Sequence, residues 1–159
     1  MLDKFIDKLP KKAVVAIWRQ LRKIAFLRNL IVVCVNARFI AAVVGIVEND
    51  AGEILIVKHT YKKYPWGLPS GGMRKENPCD ALKREVMEET GFEIEPSEVL
   101  DVYYSKPPAC LTVVIRAKLI GGTFRPCAEI SDHRFVSRDD IADLPAKQRE
   151  MIERYQGDR

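Results

Sequence analysis

The sequence predicts one α/β domain that is preceded by a basic helical extension. Three observations support this fold class. Two strand-like runs flank a polar turn, a helix with clear end signals follows a loop rich in proline and glycine, and further strand-like runs lead into a closing helix. A chain of 159 residues fits one domain, and a composition of 47% hydrophobic and 30% charged residues is typical of a globular protein.

The extension covers residues 1–37 and is predicted to be a basic amphipathic helix followed by a leading strand. Nine Lys and Arg against two Asp give residues 1–38 a charge of +7, so the rest of the chain carries −3 of the total of +4. Apolar residues recur at helical spacing within residues 10–28. This stripe packs on the domain or on a second subunit, as in a homodimer, or it makes a peripheral membrane contact with anionic lipid. No motif for binding DNA or RNA accompanies it.

Residues 30–47 form an apolar run that contains Asn36 and Arg38. A membrane-spanning helix needs about 20 apolar residues, and a central Arg opposes insertion. The run is rich in β-branched residues, which favour strands, so two strands broken near Asn36 are predicted. No secretory signal is evident. The four cysteines include no CxxC pair, which argues against a zinc site or a disulfide framework and predicts a reduced, cytoplasmic protein.

For the domain, residues 38–159, the sequence predicts the following strands, turns and helices in chain order. The segment "RFIAAVVGIVENDAGEILIVKHTY" predicts a hairpin around a turn of Asn, Asp and Gly. The segment "YPWGLPSGG" predicts a loop. After the central helix, strands are predicted at "DVYYS", "CLTVVIRAKLI" and "HRFVS", with a turn at "GGTFRP" and a closing helix at "AKQREMIERYQ".

The central helix is predicted from Pro78 to Thr90. Asn77 is a good N-cap, Pro suits the first helical position, and Asp80 falls where a capping-box acid belongs. Gly91 fits the residue that ends a helix.

Three carboxylates share one side of this helix, at Glu85, Glu88 and Glu89. Like charges at this spacing destabilise a helix, and acids are disfavoured toward a helix C-terminus. A solvated charged face is one interpretation. The adjoining Gly-rich loop favours a second one, because grouped carboxylates beside such a loop are oxygen ligands of the kind that Mg²⁺ takes.

The segment "SGGMRKENPCDALKREVMEETGF" resembles the Nudix box, G-x5-E-x7-R-E-U-x-E-E-x-G-U, in which U is a bulky apolar residue. Every fixed position from Glu76 to Phe92 matches. The box spans residues 71–92, and the resemblance extends over about residues 38–144. One departure concerns the loop. The pattern places Gly at Ser70, and Gly71 leaves four residues before Glu76 where the pattern has five, so the loop is one residue shorter.

The resemblance implies an α/β/α sandwich with a mixed sheet and a Mg²⁺-dependent pyrophosphohydrolase, in which Mn²⁺ can substitute. The substrate would be a small-molecule nucleotide, a nucleoside diphosphate linked to another group. Glu85, Glu88 and Glu89 would bind metal and act in catalysis, with Gly71 as a backbone ligand. Arg84 would orient a glutamate, as outer-shell partners do. Glu76 and Gly72 would support the site.

Further residues and other functions remain open. Glu129 is a candidate additional acid, against a plain loop acid. Trp66 and Tyr61 are candidate substrate contacts, against a core position and a solvated loop. Lys62, Lys63 and Tyr64 of the same loop could also contact base or phosphate, against a solvated loop. No chemical role is predicted for the isolated His59 and His133. The alternative function is a Nudix-fold nucleotide-binding or regulatory module with little turnover, with or without a membrane-surface role for the extension.

Overall fold

The computed structural model describes residues 39–106 and 108–155. Within these ranges the chain forms seven strands and two helices. In chain order these are β1 (Ile40–Glu48), β2 (Ile54–His59), β3 (Trp66–Gly67), β4 (Ser70–Gly72), α1 (Pro78–Thr90), β5 (Phe92–Ser105), β6 (Cys110–Gly122), β7 (Ile130–Val136) and α2 (Ala146–Arg154).

The strands make one mixed sheet. Its order is β3-β2-β1-β6-β5, with β4 paired to β1 and β7 paired to β2. β1 and β6 run parallel over nine residue pairs, from Ile40 opposite Cys110 to Glu48 opposite Lys118. The other pairings are antiparallel. The sheet therefore brings β4, which precedes α1, directly onto the central strand β1.

Helices cover both faces of this sheet, because its central strands are apolar on both sides. On one face, Val43 and Val57 of the sheet pack with Leu82 of α1. On the other, Val44 and Ile56 pack with the C-terminal helix α2. Side chains alternate between faces along a strand, so neighbouring valines of β1 enter opposite cores. The predicted α/β/α sandwich is confirmed.

The predicted β1–β2 hairpin and the predicted central helix are both present. In the β1–β2 hairpin, Asn49 Oδ1 accepts hydrogen bonds from the backbone N–H of Ala51 and Glu53, at 3.0 and 2.9 Å. The helix α1 begins at Pro78, and its N-cap Asn77 accepts from Asp80 N at 3.0 Å. It ends at Thr90, and its C-cap Gly91 takes the left-handed backbone conformation that glycine tolerates best.

The loop predicted at "YPWGLPSGG" is wrong in part, because β3 and β4 lie within it. Val57 pairs with Gly67, and Val43 pairs with Gly71. These ladders use backbone groups of distant strands, so a local reading of Pro and Gly content does not detect them. β5 is likewise longer than "DVYYS", since it begins at Phe92, directly after the helix.

The predicted extension, including the helix over residues 10–28 and its membrane or subunit contacts, lies outside the described residues. Within the described ranges, none of the helices has the length and apolar character to cross a membrane.

Candidate active site

α1 lies beside β4, and this brings its acidic side against the Gly-rich loop. The clearest contact is between Glu85 and Gly71, because a Cβ atom at Gly71 would overlap the carboxyl carbon of Glu85. Gly72 differs, since a Cβ there would meet no atom within 4 Å. Only a residue without a side chain at position 71 lets this carboxylate lie on the β4 backbone.

Arg84 joins this loop to the helix. Its Nη2 donates to Glu76 Oε1 at 2.6 Å and to the Gly72 carbonyl oxygen at 2.9 Å. Its Nη1 donates to Glu85 Oε1 at 2.6 Å and to Glu88 Oε2 at 3.3 Å. The hydrogen bonds to Glu76 and then Glu85 raise the pKa of Arg84, and the bond from Arg84 lowers the pKa of Glu76. The shorter loop therefore still closes on the helix.

Glu88 lies on the solvent side of α1. Its side chain is 49% exposed, and Arg74 of the loop approaches its Oε2 at 3.4 Å. Sequence reasoning did not single out Arg74, and its basic side chain two residues before Glu76 was the only signal for it. Two arginines thus neutralise the outer part of the acidic stripe.

Glu89 lies in the opposite environment, since it is only 7% exposed. Its Oε2 accepts a long hydrogen bond from Ser70 N at 3.4 Å. Burial, and then the charges of Glu85 and Glu129, raise the pKa of Glu89 to about 8 against the opposing effects of Ser70 and Lys62. A cation beside this carboxylate would remove the cost of its burial.

Glu129 and Tyr61 lie near Glu89. Thr60 N donates to the backbone oxygen of Glu129 at 2.9 Å, which fastens the β2–β3 loop to the segment before β7. Burial and then the charges of Glu129 and Glu89 raise the pKa of Tyr61, whose residue is 65% exposed. The structure therefore brings the candidate acid and one candidate substrate contact to the buried end of the acidic stripe.

Trp66 is placed elsewhere. It is buried in the core that also contains Ile152 of α2. The guanidinium carbon of Arg134 lies 4.1 Å from the centre of its ring, a distance at which a cation is attracted to the face of an indole. The contacts of Trp66 are those of a core residue covered by an arginine.

The geometry matches a known family. The family model for the NUDIX domain matches residues 38–155. The chain belongs to the Nudix family.

Relatives and solved structures agree with this assignment. A MutT-like protein from Streptomyces ambofaciens is 29% identical over 107 residues, which cover 67% of this chain and 69% of that protein. The human 8-oxo-dGDP phosphatase NUDT18 is 31% identical over 97 residues, 59% of this chain but 29% of that protein. A crystal structure of a NUDIX hydrolase from Nitrosomonas europaea superposes with a TM-score of 0.68 at 25% identity, covering 76% of this chain and 71% of that one. The prediction of a Nudix hydrolase is confirmed at the level of the family.

Nudix family enzymes generally use divalent metal ions, and the oxygen donors at this site fit such a cation. The buried Glu89 carboxylate, the Glu85 carboxylate and the β4 backbone are hard ligands of the kind that Mg²⁺ prefers. Across residues 39–106 and 108–155, no three acidic, histidine or cysteine side chains are already grouped as a metal site. Instead, Arg84 engages Glu85 and Glu88. A metal that used these two acids would compete with the arginine.

Proposed function

We propose that this chain is a Mg²⁺-dependent pyrophosphohydrolase, with Mn²⁺ able to substitute, that acts on a nucleoside diphosphate linked to another group. The observation that carries the proposal is the burial of Glu89 beside other acids, next to β4, in a chain with a matching Nudix domain. A buried carboxylate with acidic neighbours is unfavourable without a cation. The name of the human relative, an 8-oxo-dGDP phosphatase, supports a nucleotide substrate.

In this proposal Glu85, Glu88 and Glu89 hold the cation, and the Gly71 backbone carbonyl completes the donor set. A divalent ion, when bound, supplies charge neutralisation at phosphorus and a more acidic bound water. A carboxylate that the cation does not fully engage takes the proton of the attacking water. We assign this role to Glu89, because it is the buried acid of the three and accepts only one long hydrogen bond, from Ser70 N at 3.4 Å.

The remaining residues position these groups. Arg84 donates to Glu85 and Glu88 and therefore fixes where their carboxylates point. Glu76 holds the other side of the guanidinium at 2.6 Å, so it anchors the loop rather than touching substrate. Glu129 is proposed as an additional acid, and the exposed Tyr61 as a substrate contact beside it.

A panel of ADP-ribose, nucleotide sugars, oxidised dNTPs and dNDPs, and dinucleoside polyphosphates tests the proposal. Each compound is incubated with Mg²⁺ or Mn²⁺, and released phosphate is measured directly and after phosphatase treatment. We expect one class to be hydrolysed only with a divalent ion and the Glu89→Gln variant to lose that activity. Hydrolysis that persists in excess EDTA would contradict the proposal.

A nucleotide-binding module with little turnover is the second candidate. The 2.6 Å contact between Arg84 and Glu85 favours it, because a carboxylate held by an arginine is less free to bind metal. Calorimetry separates the two functions: nucleotide binding by the wild type with no release of phosphate from any compound in the panel would support the module. The cytoplasmic location stays a prediction.

A further inference from the structure

One ammonium group near the acidic residues is held by a buried histidine. Lys62 Nζ lies 2.9 Å from His59 Nε2. His59 is 4% exposed, and its Nε2 lies 3.4 Å from the position of a Cβ atom at Gly67, so the strand β3 closes over the ring. Lys62 is an exposed residue of the loop, and this contact restricts its ammonium group compared with a lysine that has no such partner and samples many rotamers.

The protonation of this pair follows from its surroundings. Burial and then the charge of Lys62 lower the pKa of His59 to about 4, so the ring is neutral near pH 7. A lysine ammonium has only donors, and therefore His59 Nε2 accepts and its proton lies on Nδ1. That Nδ1 is buried without a hydrogen-bond partner among the described residues, so Lys62 provides the hydrogen bond that the ring makes.

The β2–β3 loop directs this charge toward the acids. His59 N donates to Pro65 O at 2.7 Å, which closes the loop. Thr60 donates through its backbone N to the Glu129 oxygen and through Oγ1 to the Ala128 oxygen, both at 2.9 Å. Burial lowers the pKa of Lys62, and the charges of Glu89 and Glu129 oppose this effect. The ammonium is therefore partly desolvated and within electrostatic reach of both acids.

We propose that Lys62, held by His59, is the cation that binds the diphosphate of the substrate at this site. The proposal deepens the proposed function and rests on it. A diphosphate that binds here meets the negative charge of Glu129 and of the helix carboxylates, and a divalent ion alone cannot contact every phosphate oxygen. A fixed and partly desolvated ammonium offsets this repulsion more strongly than a solvated one. His59 is a positioning residue, because it acts through Lys62.

The neighbouring Lys63 provides a matched control. Its Nζ lies 5.8 Å from the centre of the Tyr64 ring, and Tyr64 is 65% exposed. The variants Lys62→Met and Lys63→Met remove the same charge from the same loop. Calorimetry with methylenediphosphonate and Mg²⁺ is the measurement, because this diphosphate cannot be hydrolysed. We expect Lys62→Met to weaken its binding about 10-fold or more and Lys63→Met to stay within about twofold, as for a solvated charge. Equal binding by the two variants, or no binding by the wild type, would overturn the proposal.

The role of His59 is tested by a double-mutant cycle. His59→Phe removes the acceptor and is expected to weaken methylenediphosphonate binding in the wild type but not in Lys62→Met. Should His59→Phe fail to fold, His59→Leu serves in the cycle; His59→Gln, which keeps an acceptor, should restore part of the affinity. A loss that is the same in both backgrounds would overturn the positioning role. Binding and hydrolysis are separate readouts: absence of turnover across the panel counts against the proposed function, whereas equal Lys62 and Lys63 variants count against this inference alone.

Discussion

The two ends of the acidic stripe on α1 have the same residue type and opposite environments. At one end, Glu85 and Glu88 are ion-paired to Arg84, which also pairs with Glu76 of the preceding loop. At the other end, Glu89 is buried and receives one backbone hydrogen bond of 3.4 Å. The arginine-paired end holds the loop in place, and the buried end keeps an acid whose charge is poorly compensated. The comparison indicates that acids of one stripe are compensated unequally, by an arginine at one end and by a single backbone hydrogen bond at the other.

The largest expected effect comes from Glu89→Gln. The change keeps the size of the side chain and removes its charge, so turnover on a substrate from the panel should fall about 10²-fold or more, as for the loss of a metal contact or a general base. Glu88→Gln should cause a loss of the same order, since it is also a proposed ligand. The rate constant and the melting temperature without metal are measured together.

Without metal, Glu89→Gln should melt at the same or a higher temperature than the wild type, because the change removes a buried acid that is costly to ionise and, with it, the repulsion from Glu85. Glu95→Gln is the control, since this exposed acid is paired with Lys83 at 3.2 Å and should leave turnover unchanged. Near-normal turnover in both Glu88→Gln and Glu89→Gln would show that the stripe is only a charged surface.

The second prediction uses His59 at the buried end. Its pKa in the folded chain is lowered to about 4 from 6.5. The unfolded chain therefore binds the proton first, so the stability that His59 contributes is present in full above pH 6.5 and is lost as pH falls toward 4. The loss amounts to about 2–3 kcal/mol. Urea unfolding of the wild type and of His59→Gln from pH 4 to 7 measures it.

The difference between the two unfolding profiles isolates the contribution of His59 to stability. Glu89 also titrates in this pH range, but in the opposite sense. Its raised pKa makes the metal-free protein lose stability as pH rises from about 4.5 toward 8, and this contribution is common to both variants. Parallel profiles for wild type and His59→Gln would contradict a buried, neutral His59.

The third prediction concerns the contact between the loop and the arginine-paired end. Gly71→Ala places a methyl group on the Glu85 carboxyl, so Glu85 must leave its position beside Arg84. We expect turnover to fall about 10-fold, or about 1.4 kcal/mol of transition-state stabilisation. Gly72→Ala is the matched control, because the added atom meets nothing within 4 Å. If the two alanine variants have the same rate, turnover does not depend on the contact of Glu85 with Gly71 of β4.

The smallest effect is expected from Glu76→Gln. This change weakens the charge-assisted hydrogen bonds to Arg84 but removes no proposed ligand. We expect a lower melting temperature than the wild type and turnover within about threefold of the wild type, a smaller loss than in the Glu89 variant. Melting and rate measurements on the same preparations decide it. A large loss of turnover with an unchanged melting temperature would show that Glu76 takes part in the reaction and does not only anchor the loop.

The sequence by itself determined the fold class, the helix α1 and the acidic stripe. These features depend on local chemistry: the Asn77 cap, the Gly91 stop and side chains three or four positions apart. The fixed spacing from Glu76 to Phe92 also identified the family, which the match over residues 38–155 confirms.

The tertiary structure alone decided how the acids differ. Glu88 and Glu89 are neighbours in sequence, yet one side chain is half exposed and the other residue is buried. Their environments depend on β4, Arg74 and the β2–β3 loop, which pair or pack through contacts far apart along the chain. The same holds for Lys62 and His59, because the burial that lowers the pKa of His59 to about 4, and so keeps the ring neutral beside a lysine, exists only in the folded chain.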